Sequence, residues 1–528
     1  VLLGQRYRSP ERNATVMNVF ESPRTALVIG SGKFARMTAN LLVRAGMQTI
    51  LSGNQSQSAE PMPALEPAVE TLPGTRLDHC SGFAGGFQVS LIGSRQSQQR
   101  SVDGIVVAEA LQRKPAFADY GLQPSAKVLA LSVFITALAD GEAFAGRTIV
   151  FVNGLVRENT PPVFEEVVRA ALNVRATKST RCYVLTRNLK VAGQGLEALY
   201  REAKAAGVVF FKFEGAPVQF HQDGETVAVE FEDEPSGESF RIQPDVLVVD
   251  EFLRPSESLA SLAKTLDVHT DASGFLQVEN VHRFPVFTNR RGIFAVGPAR
   301  GPLLASEMAS DAAAAAAAML APLEPEVRFR AEIDRHLCIR CLTCFRICPY
   351  RAVRIGEGTR IRVEVAAEAC EGCGICAAEC PRQAIAMAAV QGAAEPIESS
   401  LAPEEPSAAL LVFCCGRSSA RAAELAECLG HSRPEGVRCV EVPCTGMISL
   451  QHLLAAFAAG ARQVMVLACH EDNCHSEIGN QRARMRTEQL RTHLAAMGMA
   501  PDRLQFHTLA ANMATEFTDL VQRAAEMG

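Results

Sequence analysis

The chain has 528 residues, more than one ordinary hydrophobic core accommodates, so roughly two to four domains are expected. A formal net charge of −6, no Trp and only 5 Tyr argue against a nucleic-acid partner, which would call for a basic surface and aromatic stacking platforms. The 48% apolar content is that of a globular protein, and no apolar run reaches the ~20 residues of a membrane span. Ala312–Ala318 comes nearest, but it is short, Ala-dominated and followed by Pro322, and it reads as a buried helix. Of the 17 Cys, only Cys80 and Cys182 precede residue 330, and fifteen lie between Cys338 and Cys474. Clustering of this kind indicates metal or redox chemistry in a reducing compartment rather than a disulfide framework.

Residues 1–24 are polar and unpatterned, an expected N-terminal arm; the sequence opens on Val, which leaves an upstream leader or cluster motif open. Residues 25–325 read as a FAD-type dinucleotide-binding region. Thr25–Gly53 predicts strand, glycine turn, helix and strand, the turn being Gly30-Ser31-Gly32-Lys33-Phe34-Ala35. Glycines there permit a tight turn and let a pyrophosphate approach the helix N-terminus. Alone the motif is weak, and the second strand ends Ser52-Gly53-Asn54 where an acid should hold the ribose. A dinucleotide fold that has lost its ligand is therefore the alternative.

Residues 54–72 are rich in Pro and Ser and read as a loop. FQVSLI and GIVVAEAL predict short strands. RTIVFVNG, RCYVLTRN and GVVFFKFEG, separated by helical patterns, predict a second βαβ layer over about residues 125–245. TVAVEFED and FRIQP predict a hairpin, and VLVVDEF another buried strand. The region closes with GIFAVGPARGPLLASEM, in which Gly297 and Gly301 form a second glycine turn before a small-residue helix. In flavoproteins with two dinucleotide domains the corresponding segment lies over the flavin, so the two turns together favour FAD.

Residues 326–390 carry CIRCLTCFRICP and then CEGCGICAAECP. This is the bacterial ferredoxin run written twice, in which three thiolates wrap one cubane and the fourth ligates the other. Cys338, Cys341 and Cys344 thus pair with Cys380, and Cys370, Cys373 and Cys376 with Cys348, for two 4Fe-4S clusters. Two zinc sites or a disulfide set would rarely repeat this spacing with its following Pro. Residues 391–408 are acidic and Pro/Ala-rich, an expected linker.

Residues 409–528 alternate strand and helix, predicting a small domain with a parallel sheet. Cys415, Cys444 and Cys469 end three strands, and Cys474 follows in the loop. Carboxyl ends of parallel strands share one edge, so four thiolates meet there, as a single metal or a 2Fe-2S cluster requires. His470 and His475 are alternative ligands to zinc or a Rieske-type iron, and are read instead as hydrogen-bonding neighbours. Cys414 faces away from Cys415 by the period of two, and with Cys428, Cys439, Cys80 and Cys182 reads as a small buried hydrophobe.

In order and motif the chain resembles the A subunit of heterodisulfide reductase fused to the delta subunit of methyl-viologen-reducing hydrogenase. GIFAVGPARGPLLASEMASDAAAAA and VAGQGLEALYREAKAAGVVFFK resemble the former; FCCGRSSARAAELA and PCTGMISLQHLLAAFAAGARQVMVLACHEDNCH resemble the latter. The same fusion occurs in the B subunit of the quinone-interacting membrane-bound oxidoreductase, to which CCGRSSARAAELA is similar. The resemblance implies FAD, two 4Fe-4S clusters and one 2Fe-2S cluster, the last on Cys415, Cys444, Cys469 and Cys474, with Ser418 replacing a further delta-type Cys.

The expected fold class is α/β multidomain: a two-dinucleotide-binding flavoprotein fold, a double-cluster ferredoxin module and a C-terminal parallel α/β domain. The expected function is electron transfer by one oxidoreductase component of a multi-subunit complex. Its partners would be other redox subunits of a heterodisulfide-reductase-like or quinone-interacting complex. The expected location is the cytoplasm, with any membrane contact made through a partner. A flavin-free cluster scaffold and an NAD(P)H-dependent flavin oxidoreductase are the alternatives. The second needs a further nucleotide fingerprint, for which Val184–Gly195 is a poor match.

Overall fold

The computed structural model describes residues 24–53, 62–93, 96–141, 144–176, 179–215, 218–276, 285–321, 327, 329–356, 362–390, 409–471 and 473–526. The expected arm, apart from Arg24, and the expected linker lie outside these residues.

The first unit is a parallel sheet in the order Ile293–Ala295, Gly104–Val107, Thr25–Ile29, Gln48–Gly53, Val69–Pro73. Alternation of side chains divides it into two faces. Ala26, Val28 and Val106 pack on helices Lys33–Arg44 and Ala305–Leu320, where Ala35, Ala39, Ala312 and Ala315 allow close approach. Leu27, Ile29, Ile105 and Val107 pack on an antiparallel sheet of Arg76–Ser81, Phe87–Ile92 and Ser97–Val102. The expected loop 54–72 is corrected in part: Val69–Pro73 is an edge strand paired in parallel with Gln48–Gly53. Only Val69 of this strand is buried, so tertiary pairing rather than an apolar pattern defines it.

The second unit is inserted into the first. The chain leaves through Gln112–Pro115 and returns through Glu251–Arg254, and these strands pair antiparallel. Between them lies a parallel sheet in the order Val209–Lys212, Arg181–Thr186, Thr148–Asn153, Val246–Val249, Val128–Ala130. Helices Leu131–Ala139, Pro161–Arg175 and Leu196–Ala205 cover one face. The expected hairpin Thr226–Asp233/Glu238–Ile242, joined by Gln219–Asp223, covers the other.

Two antiparallel pairs, Phe329–Ile333/Ile385–Ala389 and Val353–Gly356/Arg362–Val365, frame the cysteine-rich module with short helices Thr343–Ile347 and Ile375–Ala378. The last unit is a parallel sheet in the order Val437–Val442, Leu410–Cys415, Gln463–Ala468, Leu504–Thr508. Helices Ser419–Cys428 and Ala514–Glu526 cover one face, and Leu450–Ala458 and Gly479–Ala496 the other. Among the described residues no helix is long and apolar enough to cross a membrane.

Candidate metal centres and dinucleotide cleft

The two cysteine motifs are built alike. Arg340 and Leu342 in the first, and Gly372 and Gly374 in the second, take left-handed backbone conformations. These conformations turn the loop around its thiols before each short helix. Ala352 N–H donates to Cys348 Sγ and Ala384 N–H to Cys380 Sγ, both at 3.3 Å. Cys338, Cys341, Cys344 and Cys380 line one small cavity with Ile333, Leu342 and Val363. Cys341 is exposed, and hydrogen bonds from Thr343 hold its thiol below the usual range. Cys348, Cys370, Cys373 and Cys376 group in the module core. Burial, reinforced by the mutual repulsion of the four sulfurs, pushes Cys373 and Cys376 upward. Such sulfurs become thiolates only beside a compensating positive charge, as a metal cluster supplies.

The third set is more enclosed. Cys415, Cys444, Cys469 and Cys474 are all at most 4% exposed. The three strands bring Cys415, Cys444 and Cys469 to one sheet edge, and the loop returns Cys474 against Cys415 and Cys469, with its thiol hydrogen-bonded to Cys444. Asn480 Nδ2 clamps this loop, donating to the carbonyls of Cys469 (3.0 Å) and His470 (2.7 Å). Ser419 Oγ accepts from Cys415 N–H and donates to the Leu467 carbonyl, locking two strand ends together. At Gly479 a Cβ would lie 2.4 Å from Cys444 Sγ, so this position excludes a side chain. The thiols share protons: the hydrogen bond from Cys469 holds Cys415 down to about 6, and that from Cys444 lowers Cys474. Cys469 and Cys444 are correspondingly raised.

His470 is committed elsewhere, with Nδ1 2.9 Å from Thr508 Oγ1 and Nε2 3.4 Å from Met513 Sδ. Cys414 packs on the opposite face, and Cys80 and Cys182 are buried. Cys428 departs from the expected burial: it ends its helix exposed. Cys439 is half-buried and its thiol hydrogen-bonds that of Cys414.

Sequence spacing gave no sign of the junction between the second and third cysteine sets. Tyr350 is 7% exposed, and its hydroxyl donates to the His475 carbonyl at 3.1 Å. A Cβ on Gly374 would meet Met447 Cβ at 2.4 Å, and one on Gly446 would meet Ile375 Cγ1 at 2.7 Å. Arg486 bridges the two units, donating to Glu379 and to the carbonyls of Gly446 and Ile448. The small residues here let two backbones touch, and the buried guanidinium fixes their orientation.

A cleft of about 1300 Å³ opens between the first and second units. Gly32, Lys33 and Phe34 reach it from the first turn, Pro298 and Met308 from the closing segment, and Ser132 and Thr136 from the second unit. Of the five predicted positions, Gly32 lines the cleft, and Gly30, Ala35 and Gly297 pack behind its wall. A Cβ on Gly30 would lie 2.3 Å from the Ala108 carbonyl oxygen; Ala35 is core; Gly297 (φ 52°) lies against the Phe34 ring; Gly301 N–H donates to the Gly297 carbonyl, and a Cβ there would meet no atom within 4 Å. The volume and the helix N-terminus with Lys33 fit a flavin dinucleotide. The ribose end fits less well: a Cβ on Gly53 would meet the Gly30 carbonyl oxygen at 2.5 Å, and Ser52 Oγ is bonded to Thr75 Oγ1.

Among the described residues, the turn after the central strand of the second sheet offers no pyrophosphate cradle. Gly154 N–H, in the turn after its central strand, is taken by Asp250 Oδ2 at 2.6 Å, and Asn159 Nδ2 binds the same oxygen at 3.0 Å. The following helix begins Pro161-Pro162, which removes two of the N–H donors an anion would use. Burial raises Asp250 to about 6 from 3.8, so the folded chain binds this proton more tightly than the unfolded chain. Its contribution to stability is greatest below pH 4 and falls as the pH rises to about 6, by about 3 kcal/mol in all. Asp250→Asn is expected to remove that slope in urea titrations at pH 4.5 and 7; an unchanged slope would refute the assignment.

These features define a multidomain, cysteine-rich protein of α/β architecture. Residues 410–527 match the family model of the methyl-viologen-reducing hydrogenase delta subunit, and residues 331–387 that of the 4Fe-4S dicluster domain. The chain is 32% identical over 123 residues to the iron-sulfur D subunit of the F420-non-reducing hydrogenase vhu from Methanopyrus kandleri, covering 22% of this chain and 93% of that one. It is 28% identical over 349 residues to the A subunit of the ferredoxin:CoB-CoM heterodisulfide reductase from Methanosarcina mazei, covering 65% of this chain and 44% of that one. The chain thus spans less than half the length of that relative. Thioredoxin reductase of Lactococcus lactis aligns over 56% of this chain and 97% of that one, with 20% identity and a TM-score of 0.39. Through its C-terminal part the chain belongs to the methyl-viologen-reducing hydrogenase delta-subunit family, fused to sequence homologous to the A subunit of heterodisulfide reductase.

Proposed function

We propose that the chain is an electron-transfer subunit of a larger oxidoreductase complex. Cys338, Cys341, Cys344 and Cys380 hold one 4Fe-4S cluster, and Cys370, Cys373, Cys376 and Cys348 a second. Cys415, Cys444, Cys469 and Cys474 hold a 2Fe-2S cluster. FAD occupies the cleft, with its pyrophosphate at Gly32 and Lys33. Once bound, these groups supply one-electron relay through the clusters and two-electron exchange at the flavin. The protein's part is to hold the groups close together, exclude water and fix the spacing between units.

The observation that carries this reading is the buried junction at Tyr350, Gly374 and Met447, which sets the second and third cysteine sets side by side. The partners are redox subunits of a heterodisulfide-reductase-like or quinone-linked complex, and the location is cytoplasmic. Gly53 favours one competing reading, a cluster-bearing scaffold without flavin. The NAD(P)H oxidoreductase reading loses support at Asp250 and Pro161-Pro162.

Anaerobically purified protein is expected to carry about ten iron atoms per chain and to release stoichiometric FAD on acid extraction. NADH alone is expected to leave the flavin absorbance unbleached. Absence of FAD would establish the scaffold, and rapid bleaching the free-standing oxidoreductase.

A further inference from the structure

The two cysteine motifs are near-copies, so what differs between them reports their surroundings rather than the needs of a cluster. The second motif is turned inward. Its Ala369, Gly372, Gly374 and Ile375 are buried, and Glu371 and Glu379 pair with Arg291 and Arg486 of neighbouring units. Its partner surface is the C-terminal domain, met at Met447.

The first motif has the same backbone but an outward face. Leu337, Ile339 and Phe345 are 43%, 60% and 38% exposed, large apolar side chains standing beside the exposed Cys341. Arg340 and Arg346 replace Gly372 and Ala378, and exposed Arg382 stands where the other half has buried Tyr350. Arg335 pairs with Glu364 and Arg346 donates to the Cys341 carbonyl, but no acid lies between Arg335 and Arg346 in the sequence, on a chain whose net charge is −6.

We propose that this basic, apolar rim docks an electron-transfer protein with an acidic surface around its own redox centre, as the C-terminal domain occupies the equivalent face of the second motif. The inference rests on the cluster assignment above. Leu337, Ile339 and Phe345 supply the dry contact, and Arg340, Arg346 and Arg382 the orientation and the steering.

The test uses the full cluster-loaded chain and a small acidic bacterial ferredoxin, chemically reduced, as probe, with cluster bleaching followed by stopped flow. In the wild type the second-order rate should fall steeply with added salt. R340E/R382E should lower the low-salt rate roughly tenfold and flatten its salt dependence, with R340Q/R382Q intermediate. Dithionite should reduce wild type and variants alike, with equal iron content. A salt-independent wild-type rate, or equal ferredoxin rates in cluster-replete variants, would overturn the proposal. So would low-salt self-association lost in the variants, which would make a second copy of the chain the occupant. A wild type that binds no iron would instead sink the cluster assignment itself.

Discussion

Cys469→Ala is expected to abolish the electron paramagnetic resonance signal of the C-terminal centre and lower iron by about two atoms per chain, with both cubane signals intact. Cys469 sits at the hub of its set: its thiol hydrogen-bonds both Cys415 and Cys474 and is 3% exposed. Alanine leaves three sulfurs and a space that Asn480, clamped to the neighbouring carbonyls, does not fill. Cys414→Ala is the control. It removes an equally buried sulfur one residue from Cys415, but on the opposite face, among Ala422, Ala426 and Val521. That variant should keep the signal and lose about 1 kcal/mol of stability. A persistent signal in Cys469→Ala, or a lost one in Cys414→Ala, would redraw the ligand set.

Gly374→Ala is expected to cost about 2–5 kcal/mol and to slow equilibration of the C-terminal centre with the cysteine-rich module. Two penalties add. The backbone is left-handed at φ 71°, which costs an ordinary residue about 1–2 kcal/mol. The new Cβ would also lie 2.4 Å from Met447 Cβ, and overpacking a tight contact costs about 1–3 kcal/mol. Leu342 separates the two terms, because it holds the equivalent left-handed position at φ 60° and packs, half-buried, against the core of its own module. Leu342→Gly should change stability by no more than about 1 kcal/mol, since relief of strain is offset by a freer unfolded chain and by the loss of a half-buried side chain. If chemical denaturation shows the two substitutions to be equally mild, the close approach at Gly374 carries no energetic weight.

Legibility in the sequence followed the range of the interaction that defines each feature. The parallel strands were readable because both faces of their sheets are covered, as in Leu27-Val28-Ile29, giving continuous apolar runs. Val69–Pro73 and Ser97–Val102 were not, because edge strands and strands with a wet face carry Glu, Ser and Gln and exist by virtue of pairing. The first glycine turn was legible, and so was the missing ribose acid. That a side chain at Gly53 is blocked by the Gly30 carbonyl was not, since the clash is between strands.

By itself the sequence determined the two cysteine motifs, because three-residue spacing is a local constraint that any fold must respect; Cys380 reaches the cavity of Cys338, Cys341 and Cys344 only through the tertiary fold. It also marked Cys415, Cys444 and Cys469 as strand ends. Their sharing of one edge with Cys474 followed from the parallel-sheet expectation; the tertiary structure supplied the strand order and register that bring these distant residues together. Tertiary structure alone also turned the second motif inward onto Met447 and Tyr350 and left the first facing solvent. Two near-identical motifs differ there because packing depends on what lies across the contact, which no local pattern records.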